Sequence, residues 1–224
     1  MLQVIFWTFT KDIKPEYDLL PEPANPKYAK LISLGDDEFL FRSLIIRIQN
    51  AGDIYAGYEP LRNYDYQKLY DWFIFLDSLN AKSRLTPSLA SYVYSNIDDI
   101  NKINHLINYL EYRGKSSIDD NWWWIFQSIY LARKIDDQKR TIELAKLLAS
   151  NNNPKAPLWT KQMPAFIYAK YDQGCLAFFA IKNVIDDLNR KNVEISVDDM
   201  NFYRYFINNR LKKLKNGGFD PRNC

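Results

Sequence analysis

The chain has 224 residues, 47% of them apolar, and its 16 Tyr, 13 Phe and 6 Trp supply enough contact area for one sizeable core. Seven glycines are too few for Gly-rich phosphate loops or a turn-rich all-β fold, and a net charge of +3 makes no whole-chain case for a nucleic-acid partner. A single histidine, His105, leaves no histidine cluster for a metal and only one candidate base for Ser-His-Asp or Cys-His chemistry, and no Walker or Gly-x-Gly-x-x-Gly motif occurs, so neither metal nor cofactor is expected.

Residues 1–34 form an apolar segment and a linker. Leu2, Val4, Ile5, Phe6, Trp7 and Phe9 crowd the first ten residues, which are too few to cross a hydrocarbon core of roughly 30 Å. No basic region precedes them and no small-residue cleavage site follows, so they do not make a complete signal peptide. Lys11 and Lys14 come next, then Pro15, Pro21, Pro23 and Pro26. Two expectations stand side by side. One is the end of a membrane anchor, its start upstream of Met1, followed by an extended linker. The other is a terminal strand or helix lying on the core.

Residues 35–216 read as a helical domain and 217–224 as a short tail. Asp36, Asp37 and Glu38 open a helix through Phe39, Leu40, Leu44, Ile45 and Ile48 that stops at Gly52 and is apolar enough to be largely buried. An aromatic loop, DIYAGYEPLRNY, leads to Asp65, which caps a helix carrying Leu69, Trp72, Phe73, Leu76 and Leu79. Thr86 and Pro87 are the N-cap and first residue of a short helix through Leu89, Tyr92 and Val93. Asp98 starts a helix ending near Gly114, and Asn121 opens one with Trp122, Trp123, Trp124 and Phe126. Asp136 and Asp137 lead into Ile142, Ala145 and Leu148. After a break at 151–157, helices are predicted at 158–171 and 173–190, and Ser196 caps a last one that Gly217 and Gly218 end.

Helix starts at Pro87, Asn121 and Pro157 recur at a period near 34 residues, two helices to a period, which is the signature of a solenoid. The blocks DNWWWIFQSIYLARKIDDQKRTIELAKLL and PLWTKQMPAFIYAKYDQGCLAFFAIKNVI resemble tetratricopeptide-type repeats. The likeness lies in an early Trp, small residues (Ala132, Ala145, Ala169 and Ala177) at helix crossings and an Asp-rich turn, over about 87–190. The family's first-helix Gly is missing, its turn Gly survives as Gly174 and its closing Pro as Pro154. The resemblance implies an all-α fold of stacked antiparallel helix pairs and protein binding, with no catalytic residues to carry over.

Candidate chemistry is sparse. Paired carboxylates recur at 36–37, 98–99, 119–120, 136–137, 186–187 and 198–199. All but one of these pairs fall at predicted helix starts, where a carboxylate caps free N–H groups and meets the positive helix end; capping therefore outweighs acid–base work. Successive residues of Trp122–Trp124 point about 100° apart, so at least one must lie in a groove or interface. Tyr55, Tyr58, Arg62, Tyr64 and Tyr66 form a candidate binding loop, Tyr and Arg being common binding anchors; the alternative, which is favoured, is a loop tied down by its own tyrosines against the first helices. Arg204, Arg210, Lys212, Lys213 and Lys215 make the end of the last helix basic. Cys175 and Cys224 read as a buried thiol and a loose terminal one, although a disulfide between them stays open.

The sequence thus points to a non-enzymatic scaffold or adaptor that binds another protein or peptide. Membrane contact through residues 1–10 is favoured slightly over a free cytoplasmic chain. One alternative is an RNA- or membrane-surface-binding helical protein using the basic last helix. Another is an enzyme with carboxylates converging in a helical cavity.

Overall fold

The computed structural model describes residues 2–10, 19–54, 57–213 and 224, apart from a few side chains at the ends of these stretches. The chain divides into two compact units, 1–83 and 84–224.

The first unit holds α1 (Leu2–Thr10), α2 (Pro26–Ile32), α3 (Asp37–Gln49) and α4 (Tyr66–Leu79). Their starts follow from local chemistry. Asn25 accepts the Lys27 N–H ahead of Pro26, Asp36 accepts that of Phe39, and Asp65 accepts those of Gln67 and Lys68. Between α3 and α4 a minimal hairpin pairs β1 (Asp53–Ile54) with β2 (Gly57–Tyr58), antiparallel. Phe41, Ile45 and Ile48 of α3 are buried, as are Leu69, Phe73 and Leu76 of α4. The Trp72 indole N–H donates to the Pro21 carbonyl at 2.7 Å, and Leu20 beside it is buried, so the chain at Leu20 and Pro21 is seated on α4. The expectation of a largely buried α3 is corrected. It packs against α4 along one side only, leaving Phe39 and Ile46 69% and 57% exposed.

The second unit is a run of longer helices: α5 (Leu85–Ser88), which continues as a π turn (Leu89–Val93), then α6 (Ile100–Lys115), α7 (Ile118–Lys134), α8 (Gln138–Ala149), α9 (Trp159–Lys170), α10 (Gly174–Arg190) and α11 (Val197–Tyr205). From α6 to α10 each helix packs against the next. Ser116 and Ser117 alone separate α6 from α7, and three residues separate α7 from α8 and α9 from α10. Helices this long, joined this tightly, pack along their length only by running back antiparallel. Asp136 and Asp172 make two of the turns with φ of +57° and +56°, a left-handed conformation Asp tolerates better than most residues. Gly114 lies against Ile125 of α7, where an added Cβ would overlap the isoleucine side chain. Ala132, Ala145, Ala169 and Ala177 are all buried, as expected of residues at helix crossings.

Several boundaries move. α5 opens at Leu85, so Thr86 is a buried first-turn residue rather than the cap, and Pro87 follows it where a missing N–H costs no helix bond. α7 opens at Ile118 rather than Asn121, and Asp99, not Asp98, caps α6 through the Lys102 N–H. The starts of α5, α7 and α9 therefore fall at Leu85, Ile118 and Trp159, an uneven spacing.

The reading of two separate thiols is also corrected: Cys175 and Cys224 form a disulfide, with Cα atoms 5.5 Å apart. Past Tyr205 the chain continues as a π turn (Phe206–Arg210) and a 3-10 turn (Leu211–Lys213). These segments fold onto α10, burying Tyr203, Phe206 and Leu211 with Ala177 and Ile181. Sequence spacing gives no hint of that return.

Candidate interaction surface

The three tryptophans of α7 separate as helix geometry demands. Trp124 turns inward and is buried, under the Arg84 guanidinium 5.5 Å from its ring centroid. Trp122 and Trp123 stay half-buried and form one patch with Phe126 and Trp159. Trp122 stands edge-on to Trp123 at 5.6 Å and to Trp159 at 5.8 Å. Phe126 meets Trp123 at 5.3 Å and Trp159 at 4.9 Å. These are favourable tilted and edge-to-face geometries, each worth roughly 0.5–1.5 kcal/mol beyond area burial. Tyr92 extends the patch from the π turn after α5: its hydroxyl accepts the Trp123 indole N–H at 2.8 Å and a Gln127 amide N–H at 3.3 Å. Tyr92 itself is 50% exposed.

The patch thus joins the π turn, α7 and α9, which are alternate members of the helix run. α9 and α11 are joined in the same way, through Phe166 against Phe202 at 5.8 Å and through the Gln162 amide donating to the buried Tyr203 hydroxyl at 3.1 Å. Burial pushes the Tyr203 phenol above its ordinary pKa. α6 and α8 are tied by charge. Arg140 of α8 donates to Glu111 of α6 at 2.8 Å and to Asn108 at 2.6 Å, and Lys115 reaches Glu111 at 2.5 Å. Burial by itself would raise the Glu111 pKa, but the hydrogen bonds from Lys115 and Arg140 outweigh it and hold the carboxyl below its usual range.

The predicted loop divides. Tyr64 and Tyr66 are both buried, Tyr66 as the first residue of α4, which fits tyrosines that tie the loop down; Gly52 leaves room for the Tyr64 hydroxyl, which an added Cβ would meet. Tyr58 and Arg62 are exposed, and Tyr55 lies outside the described residues. In the basic set, Arg204 and Lys212 are exposed. The side chains of Arg210 and Lys213, and the whole of Lys215, lie outside the description. Asp36, Asp65, Asp99 and Asp137 each cap a different helix. Asp119 instead accepts the Asn152 N–H at 2.6 Å, tying down the loop before α9. Among the described residues no group of three or more His, Cys, Asp or Glu is placed to hold a metal.

Tyr92, Phe126, Gln127 and Trp159 were not singled out as site residues from sequence. The signal for Trp159 was present, since each repeat-like block carries an early Trp and the two blocks' tryptophans touch. Nothing local marks Tyr92, which enters the patch through contacts across 31 and 35 residues. Comparison with protein-family models, curated proteins and solved structures gives no match.

Proposed function

We propose that the second unit is a short helical-repeat stack, similar to tetratricopeptide-type arrays, and that it works as a non-enzymatic scaffold holding a protein or peptide partner on its aromatic patch. The observation that carries this reading is the set of half-buried rings, Tyr92, Trp122, Trp123, Phe126 and Trp159, standing side by side on alternate helices. Alternation of helices between two sides is what stacked helix pairs produce, and it supports the repeat reading. A water-accessible cluster rich in Trp and Tyr fits a binding anchor: it buries large area at little entropic cost and excludes water from its centre.

The test is affinity capture from cells that make the protein, using wild type and a Trp122→Ala/Trp123→Ala variant checked for a cooperative melt. A partner retained by wild type and lost from the variant, with recovery reduced at least tenfold, supports the reading. Equal recovery by both proteins overturns it.

A further inference from the structure

The apolar residues of α1 lie open to solvent around the whole helix. Leu2, Val4, Ile5, Phe6, Trp7 and Phe9 are each 49% to 85% exposed. At about 100° per residue they leave no polar arc wider than about 100°. No charged residue falls within Leu2–Thr10. Thr8 donates its hydroxyl to the Val4 carbonyl at 2.6 Å, so that polar group needs no water. Lys11 and Lys14 follow in sequence.

We infer that α1 seats itself in the acyl region of a lipid bilayer. Two observations select this occupant. No helix among the described residues is long and apolar enough to cross a membrane. A protein groove or a second copy covers one side of a helix. Six large side chains offer on the order of 800 Å² in all, so one side supplies about half the roughly 800 Å² per partner of a stable interface. A bilayer covers every side. The inference is independent of what the aromatic patch binds.

The experiment is flotation of the full chain, disulfide intact, with vesicles of pure phosphatidylcholine and of phosphatidylcholine containing phosphatidylglycerol. Wild type should bind both, and the anionic vesicles more tightly. A Phe6→Glu/Trp7→Glu variant should bind at least 10-fold less to both, while Gln3→Leu should bind more tightly than wild type. Circular dichroism of each variant matching wild type shows that the fold is retained. Wild type binding neither vesicle, or the double variant binding as wild type does, overturns the inference. So does concentration-dependent self-association that the double variant abolishes without any vesicle binding.

Discussion

The two units bury apolar surface in different ways. In the second, helices of 12 to 17 residues are joined from α6 to α8 by two or three residues, and most of their large apolar side chains pack on a neighbour. In the first, helices of 7 to 14 residues alternate with longer connections, and Leu31, Ile32, Leu34, Phe39 and Ile46 stay exposed. Hydrophobicity alone therefore did not decide burial here. Tight turns contribute, because each forces the next helix back along the last one.

Substitutions sharpen that contrast. Trp124→Ala in the second unit removes a ring that is 3% exposed and should cost about 3–5 kcal/mol in denaturant unfolding. Phe39→Ala in the first, 69% exposed, should stay within about 0.5 kcal/mol. Equal losses would break the comparison. Reducing the Cys175–Cys224 disulfide, which spans 49 residues, should destabilise the second unit by roughly 2–4 kcal/mol, read as a fall in its melting temperature. Gly114→Ala drives a methyl group into Ile125 and should cost about 1–3 kcal/mol. Asp99→Ala removes the cap of α6, at about 1 kcal/mol.

The smallest effect concerns pH. The folded state holds Glu111 below its usual pKa. Its contribution is therefore complete above the ordinary glutamate range and is lost as pH falls through the lower, folded-state value. Glu111→Gln should flatten the acid side of the stability–pH curve below that range and leave its neutral-to-alkaline slope unchanged. A variant curve merely displaced in parallel would count against the ion-pair network as the cause.

Much of the helical order was legible before the structure. Acidic caps such as Asp36, Asp65 and Asp137 act within three residues of themselves, so local chemistry places those helix starts. What sequence missed depends on distant partners. Whether Tyr64 and Tyr66 hold a partner or tie down their own loop shows only in their burial, and Cys224 meets Cys175 across 49 residues. The aromatic patch was half legible. The angular spread of Trp122–Trp124 required one ring outside the core, but only packing shows that Trp159 and Tyr92 stand beside it.

The most direct test of the central reading is site-specific photocrosslinking in cells, with a photoreactive phenylalanine placed at Trp123 in one protein and at Tyr58 of the first unit in another. The account predicts one discrete partner crosslinked from position 123 and not from position 58. A partner captured only from position 58 would contradict the assignment of binding to the aromatic patch on α7 and α9.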